Sequence, residues 1–149
     1  NGFSISFLAI DGVYPAWKSI IPSEHVGSFS LTKSELSEAF KAMEMFGESE
    51  YVWIRFREST REIKAMAYTD YEEISINLNG GVKGEGFIGL NHKLLKSIVS
   101  SSNETMFKFN FLSHSRALTV NENMLLMPIT PGRYGEVPAK LQEYAEGLI

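Results

Sequence analysis

The sequence predicts an α+β fold built from a duplicated β-α-β-β-β unit, with two helices packed on antiparallel sheets. Two observations lead to this prediction. Each half of the chain contains one segment with apolar residues at helical spacing, followed by short segments in which apolar and polar residues alternate. The order of these segments in the first half recurs in the second, which indicates an internal structural repeat.

The first predicted helix follows Thr32, which is a good N-cap, and Glu35 completes a capping box. Apolar residues then recur at helical spacing until Gly47, which ends the helix as a C′ glycine. Three alternating segments follow and predict antiparallel strands with one buried face. The inward residues of these strands are Val52, Ile54, Phe56, Ile63, Ala65, Ala67, Ile74, Ile76 and Leu78.

The second half follows a glycine-rich stretch, Asn79 to Gly86, which we interpret as a flexible connector. After a short strand, Asn91 caps the second predicted helix. The core face of this helix is predicted to carry Leu94, Leu95, Ile98 and Val99. Phe107, Phe109 and Phe111 mark the next strand, and two further strands separated by turns continue to Ile129.

The two halves also align residue by residue. Leu31-Thr32-Lys33 matches Leu90-Asn91-His92 at an offset of 59 (90 minus 31), and Val52 to Phe56 matches Phe107 to Phe111 at an offset of 55 (107 minus 52). Chance similarity between amphipathic segments is the alternative explanation. The shared order of cap, helix, strand and arginine-bearing turn favours a true duplication.

Composition is consistent with one folded domain or two small fused lobes. The 149 residues suffice to bury a core, and 44% hydrophobic residues with 12% aromatics exclude a disordered chain. The absence of cysteine excludes disulfides and thiolate metal sites. A formal net charge of -4 provides no overall attraction to nucleic acid, and no apolar run is long enough to span a membrane.

A proline-bounded apolar segment, Asp11 to Pro22, precedes the repeat. Its prolines fix φ and remove backbone donors, so the segment is unsuited to a central strand or a helix interior. We predict an extended surface connector that offers apolar side chains to a partner, which points to assembly rather than catalysis. The side chains concerned are those of Tyr14, Pro15, Trp17, Ile20 and Ile21.

These features resemble the DNA sliding clamp family, the beta subunit of bacterial DNA polymerase III, and most closely its C-terminal (third) domain. Asp11 to Pro22 is similar to the family's link into that domain. Ile88 to Asn91 is similar to its strand-to-helix entry, and Leu125 to Ile129 to its C-terminal strand with a methionine-proline pair. This chain departs from the family at Leu90, where phenylalanine is usual, and at Ser19, where the family has a basic residue.

The resemblance implies a DNA-clamp fold and a function in DNA replication. Family members form a ring with sheets outside and helices lining the hole, which encircles duplex DNA as a processivity factor and is not an enzyme. The implied partners are double-stranded DNA, bound weakly and without sequence preference, and DNA polymerase with clamp-loader or repair proteins, bound through short hydrophobic peptides. A homo-oligomeric ring and a cytoplasmic, nucleoid-associated location are also implied.

A peptide-binding pocket follows from the same resemblance. Transferred residue by residue, it consists of Pro15, Ile20, Leu125, Met127, Pro128 and Ile129. Alternation alone favours another interpretation, in which Leu125, Met127 and Ile129 are the inward face of an edge strand. The resemblance reverses this preference for Pro15, Met127 and Pro128.

A DNA-facing surface can be sought on the predicted helices. Cations opposite the core could contact phosphates without reading sequence, although acidic residues interrupt the first helix and ordinary solvated faces are the alternative. The DNA-facing candidates are Lys93, Lys96, His92, Lys33 and Lys41. With so few cations, topological enclosure rather than affinity would hold the domain on DNA.

No other motif indicates chemistry. His25, His92 and His114 lack metal-ligand spacing. Ser113-His114-Ser115 lies in a predicted hairpin turn, and the glycine-rich stretch lacks the spacing of a phosphate loop. We therefore predict no catalytic residue, no metal and no cofactor.

The predicted organisation has three parts. Residues 1–12 are expected to be the end strand of a preceding domain with a linker, and residues 13–130 the clamp-like domain, with halves near 23–79 and 86–129. Residues 131–149 form an extension with a predicted helix, which covers the pocket or docks on a neighbour. We expect an excised C-terminal piece of a longer clamp-like protein. The alternative function is a divergent clamp-fold interaction module that does not enclose DNA.

Overall fold

The described residues between 16 and 129 form two α-helices and nine strands. A computed structural model describes residues 16–46, 50–69 and 72–129, together with residues 141, 142 and 145. Gly47, the predicted end of the first helix, lies outside these ranges. The elements are β1 (Gly27–Thr32), α1 (Lys33–Phe46), β2 (Tyr51–Arg57), β3 (Glu62–Tyr68), β4 (Glu73–Leu78), β5 (Gly81–Lys83), β6 (Glu85–Asn91), α2 (His92–Ser101), β7 (Met106–Phe111), β8 (Leu118–Val120) and β9 (Met124–Leu126).

The strands form two antiparallel sheets, and each sheet takes strands from both halves of the chain. The five-stranded sheet has the order β5-β1-β7-β8-β9, and the four-stranded sheet has the order β4-β3-β2-β6. The first strand of each half therefore pairs with the meander of the other half, β1 with β7 and β6 with β2. We call this arrangement the strand exchange. The predicted duplicated unit is confirmed as β1-α1-β2-β3-β4 and β6-α2-β7-β8-β9.

Both predicted helix N-caps are confirmed. Thr32 Oγ1 accepts a hydrogen bond from Glu35 N at 3.1 Å, and Asn91 Oδ1 accepts one from Leu94 N at 3.0 Å. The capping box predicted for α1 is incomplete, because Glu35 Oε1 instead accepts a hydrogen bond from Asn79 N at 2.7 Å. The glutamate therefore stabilises the turn between β4 and β5.

A second pair of equivalent hydrogen bonds crosses the strand exchange at the start of each helix. Lys33 N donates to Thr105 O at 2.9 Å, and His92 N donates to Glu50 O at 3.0 Å. The donors are 59 positions apart (92 minus 33) and the acceptors 55 (105 minus 50). These are the two offsets at which the halves align, so the sequence repeat corresponds to a repeat in backbone geometry.

Phenylalanine rings from both sheets meet in one core. Phe29 of β1 stacks on Phe109 of β7 with ring centroids 4.7 Å apart and lies 5.1 Å from Phe56 of β2. Phe56 also meets Phe111 of β7 edge-on at 5.3 Å. Each such pair contributes about 0.5–1.5 kcal/mol beyond the burial of its area. The helices add the buried side chains of Leu36, Ala39, Phe40, Met43, Leu95 and Val99 to the same core.

The buried face of α2 differs from the prediction. Leu95 and Val99 are buried and Ile98 is partly buried, as predicted, but Leu94 is 60% exposed. His92 completes the buried stripe, because positions 92, 95 and 99 share one side of a helix with 3.6 residues per turn. The prediction failed at Leu94 because neighbouring positions on a helix point about 100° apart, and only one of two adjacent leucines can face the core.

The glycine-rich stretch forms a strand, so its interpretation as a flexible connector is wrong. Gly81–Lys83 (β5) pairs with β1, with Gly81 opposite Ser30. The backbones approach closely before this strand, since a Cβ at Gly80 would lie 2.0 Å from Ser30 O. Glycine is thus required here by the close approach to β1.

The segment before β1 is only partly extended, in contrast to the prediction. Trp17–Ile20 form one turn of 3-10 helix. Ser19 N and Ser19 Oγ both donate hydrogen bonds to Ala16 O, at 3.0 and 2.7 Å, and these local bonds stabilise the turn. The predicted exposure of Ile20 and Ile21 is confirmed, at 45% and 41%.

A smaller apolar cluster lies on the outer face of the four-stranded sheet. The rings of Trp53 and Phe87 stack at 5.3 Å, beside Met66. Leu141 and Ala145 are buried against these three side chains, at 2% and 7% exposure. Residues 141, 142 and 145 are helical, so the C-terminal extension contributes one helical face to this cluster.

The close approach at Gly80 leads to a prediction for stability. We expect Gly80→Ala to lower the free energy of unfolding by about 3 kcal/mol, because the new methyl group meets a backbone oxygen that cannot rotate away. Gly81→Ala is the matched control, with its Cβ 2.6 Å from the rotatable hydroxyl of Ser30. This control is expected to cost less than about 1 kcal/mol. Urea denaturation of both variants provides the test, and equal destabilisation would contradict the backbone clash.

Candidate functional site

The outward side chains of β9 begin the candidate peptide site. Within β9, Leu126 pairs with buried Leu118 and lies in the core. Leu125 pairs with Thr119 and points to the opposite face of the sheet, since neighbouring strand residues alternate. The alternative interpretation, in which Leu125 belongs to the inward face of an edge strand, is therefore wrong. Leu125 is half-buried on the outer surface.

After β9 the chain passes from one sheet to the other. Met127 is 59% exposed, Pro128 is buried and Ile129 is half-buried. Ile129 N donates a hydrogen bond to Gly89 O of β6 at 2.9 Å, and β6 is an edge strand of the four-stranded sheet. This bond holds the segment in place, so that Met127 is presented from a restrained backbone.

The other predicted pocket residues lie before β1. Ile20 is exposed at the end of the 3-10 turn, and Pro15 lies outside the described residues. The hydroxyl of Ser19, where the family has a basic residue, is bonded to its own turn. The convergence of Ile20 and Met127 on one cleft stays a prediction.

Only two of the candidate DNA-facing cations are exposed without a partner within the described residues. Lys41 on α1 and Lys93 on α2 are exposed. Lys33 Nζ donates a hydrogen bond to Ser102 O at 2.6 Å, which ties α1 to the end of α2. Backbone bonding of this kind leaves the charge in place but restricts how far the ammonium group can reach.

Lys96 is neutralised by an acid on the neighbouring helix. Lys96 Nζ and Glu44 Oε1 form an ion pair between α2 and α1. The hydrogen bond from Lys96 lowers the pKa of Glu44, so the carboxylate stays ionised and paired at neutral pH. Lys96 therefore contributes little net positive charge to the helix face.

His92 lies in the core, so its predicted exposure is wrong. Its side chain is 7% exposed, and its ring centroid is 5.4 Å from that of Phe40 on α1. The hydrogen bond from His92 N to Glu50 O places the first turn of α2 against the core, where its side chain packs between the helices. This position does not allow contact with an external phosphate.

The outer face of the five-stranded sheet carries a cleft that is not among the sites predicted from the sequence. It has a volume of about 210 Å³ and lies between β5, β1 and β7. The sequence does contain a sign of this cleft. In β1 and β7 polar residues alternate with buried apolar ones, so cations and short polar side chains lie on one face of the sheet. We call it the lysine cleft, and it is lined by His25, Val26, Gly27, Ser28, Lys83, Lys108 and Asn110.

The described residues contain no arrangement that indicates catalysis. Ser113 to Arg116 turn between β7 and β8, with Arg116 N bonded to Ser113 O at 3.3 Å, as predicted for a hairpin turn. No group of three or more histidine or acidic side chains in the described ranges could hold a metal ion. Among the helices of the described chain, none is long and apolar enough to cross a membrane.

One curated relative supports the resemblance. The chain is similar to the beta sliding clamp of Helicobacter pylori (strain ATCC 700392 / 26695), with 23% identity over 136 residues, which covers 81% of this chain and 36% of that protein. The chain thus spans little more than a third of the length of this relative. No protein-family model matches the chain.

Solved structures establish the fold. The beta subunit of DNA polymerase III from Thermotoga maritima superposes with a TM-score of 0.72 at 20% identity, over 82% of this chain and 35% of that chain. The beta subunit from Borrelia burgdorferi, solved with a natural product, gives a TM-score of 0.71 at 19% identity, over 83% and 35%. The chain therefore has the fold of one sliding-clamp domain, and the predicted DNA-clamp fold is confirmed.

The apolar cluster on the four-stranded sheet can be tested through its tryptophan. In a Trp17→Phe background, in which Trp53 is the only tryptophan and is excited selectively, Leu141→Asp is expected to red-shift the emission and to lower the free energy of unfolding by about 2 kcal/mol. The reason is that a charge replaces the buried leucine that covers the indole. Gln142→Asp adds the same charge at an exposed neighbour and is the control. Unchanged Trp53 emission in Leu141→Asp would show that the extension does not cover this face in solution.

Proposed function

We propose that this chain is a sliding-clamp domain of a DNA replication processivity factor, part of a ring that encircles duplex DNA. The observation that carries this proposal is the fold of two β-α-β-β-β units joined by the strand exchange, which superposes on a DNA polymerase III beta subunit with a TM-score of 0.72. Because the chain spans only part of the length of those proteins, the ring requires further domains or further copies. A homo-oligomeric assembly is the form we expect.

The proposed mode of partner binding is capture of a short hydrophobic peptide. The pocket comprises Pro15, Ile20, Leu125, Met127, Pro128 and Ile129, as the resemblance implies. The exposure of Ile20 and Met127 and the outward direction of Leu125 support this assignment. An apolar anchor gains free energy by leaving water in a cleft with a restrained backbone, and the bond from Ile129 to β6 supplies that restraint. The proposed partners are DNA polymerase and clamp-loader or repair proteins.

The proposed relation to DNA is enclosure without tight binding. The chain carries a net charge of -4, and Lys96 is paired with Glu44. Lys41 and Lys93 are the cations best placed for non-specific phosphate contacts, with a smaller contribution from Lys33. Such contacts permit sliding because they carry no base information. We expect no catalytic activity, and we place the protein in the cytoplasm with the nucleoid.

The pairing of Lys96 with Glu44 also supports a second candidate function. A clamp-fold interaction module that does not enclose DNA needs no cationic helix face. The ion pair between Lys96 and Glu44 and the burial of His92 leave such a face only weakly basic. The two candidates share the peptide pocket and differ only in whether duplex DNA passes through a ring.

The peptide pocket is tested with matched methionine variants. We expect Met127→Asp to weaken binding of a short peptide with aliphatic and aromatic anchors by about 30-fold, because a charge is placed where an apolar group must be desolvated. Met45→Asp on α1 changes another exposed methionine, at 89% exposure against 59% for Met127, and should leave binding unchanged. Fluorescence anisotropy with labelled peptide measures both, and circular dichroism confirms that both variants fold. Normal binding by Met127→Asp would remove this strand from the pocket.

Enclosure is tested by the topology of the DNA. We expect nicked circular duplex to retain the protein at a salt concentration that releases it from the same duplex after linearisation, since a ring can slide off only at an end. Light scattering on the same preparation reports whether a ring has formed. Equal loss from circular and linear DNA by an assembled oligomer would contradict enclosure and favour the interaction module.

A further inference from the structure

The lysine cleft and the candidate peptide site lie on the same face of the five-stranded sheet. Ser28 is paired with Lys83 on one side and with Asn110 on the other. Asn110 is paired with Thr119, and Thr119 with Leu125. Residues paired directly across antiparallel strands point to the same side. These five residues therefore form one row across all five strands, which we call the outer row.

The outer row has a definite length. Neighbouring strands are about 4.8 Å apart, so Asn110 lies about 10 Å from Leu125, and Lys83 about 19 Å. An extended peptide advances about 3.3 Å per residue. A peptide anchored beside Leu125 therefore reaches Asn110 with its third residue and Lys83 with its sixth.

The lysines of the cleft form no ion pair with the acids of the described residues. Both of them, Lys83 and Lys108, are exposed. Glu58 Oε2 accepts a backbone N–H of the β5–β6 turn at 2.6 Å, and Glu85 Oε2 pairs with Arg57 Nε at 3.3 Å. A pair of cations with no ion-pair partner among the described residues, on a chain with net charge -4, is a local attraction for an anion.

The floor of the cleft adds hydrogen-bond donors. Ser28 contributes a hydroxyl group. Asn110 is 9% exposed, and its Nδ2 donates to Thr119 Oγ1 at 3.2 Å, which fixes the orientation of the amide. A side-chain amide nitrogen carries two N–H groups, so one remains for a ligand. The cleft thus offers ammonium, hydroxyl and amide donors, a set that suits a carboxylate because a carboxylate only accepts.

The position of the cleft favours a peptide over duplex DNA as the ligand. Phe29 and Phe109, which alternate with the cleft residues of β1 and β7, point inward to the core on which the helices pack. The cleft consequently lies on the side of the sheet away from α1 and α2. Duplex DNA held against the helices does not reach this face, whereas a peptide anchored at Leu125 begins on the same face of the same sheet.

We propose that the lysine cleft binds an acidic side chain of the partner peptide whose apolar anchors occupy the pocket at Leu125 and Met127. This inference rests on the proposed function and adds to it a chemical requirement for the partner. The acidic residue is placed three to six positions from the apolar anchor, according to the length of the outer row. The apolar anchor supplies most of the affinity, and the lysines select among partners by charge.

This proposal is tested with the complete chain by combining peptides of different charge with charge-reversal variants of the protein. Two labelled peptides share the same apolar anchors and differ only in glutamate or glutamine five residues away. We expect the wild-type chain to bind the glutamate peptide about five-fold more tightly. The double variant Lys83→Glu, Lys108→Glu should lose this preference while its affinity for the glutamine peptide is unchanged. Lys41→Glu, Lys93→Glu makes the same charge change on the helices and should retain the preference.

The outcomes separate this inference from the proposed function. Equal binding of both peptides by the wild-type chain would show that the cleft is not part of the site and would leave the pocket proposal standing.

If neither peptide binds, the proposed pocket fails, and the cleft is tested alone. A triglutamate peptide is titrated, and the amide resonances of Ser28, Lys83 and Asn110 are followed. Shifts that disappear in the double variant support a carboxylate site, and the absence of shifts overturns it. Inorganic phosphate that shifts these resonances at lower concentration than triglutamate would also overturn the assignment to a peptide.

Discussion

The strand exchange is the constraint on which the rest of this structure depends. Because β1 pairs with β7 and β6 with β2, neither half can complete its sheet without the other. The exchange also brings Phe29 against Phe109 and Phe56, so that one aromatic cluster joins both sheets. Each helix begins immediately after an exchanged strand, and its first backbone N–H bonds to the opposite half. The fold is therefore cooperative across the repeat, and the two halves do not behave as separate lobes.

This constraint also determines which surfaces remain for function. With both helices packed on the inner side of the sheets, the cations of the helices and the outward residues of the strands lie on opposite sides of the core. On the helix side, Lys96 is paired with Glu44. On the strand side, Leu125 and the lysine cleft share the outer row, and the restrained segment at Met127 continues from its end. The adjacent four-stranded sheet has its own apolar cluster, which Leu141 covers.

Much of the fold could be predicted from the sequence because the helix-capping residues and the internal repeat indicated the same order of helices and strands. Thr32 and Asn91 marked the helix starts, since a capping side chain acts within its own turn. The burial of His92 and the exposure of Leu94 could not be predicted, because the rotation of α2 depends on its packing against α1. For the site, family resemblance identified the apolar strand end, but the lysine cleft depends on register across three strands that are distant in sequence. Periodicity predicts which residues of one strand share a face, but not which strands are neighbours.

The distribution of charge assigns different physical roles to the two sides of the molecule. Exposed charges are screened by salt, and Lys96 is paired with Glu44, so the helix side of the described residues can supply only weak attraction to a phosphate backbone. A protein that remains on DNA through such a surface must be retained by topology. In the proposed function partner proteins are not enclosed, so their affinity would have to come from burial of apolar groups such as those near Met127. In the proposed arrangement, charge on the strand side would serve partner selection, because Lys83 and Lys108 line the cleft that an acidic side chain of the peptide would enter.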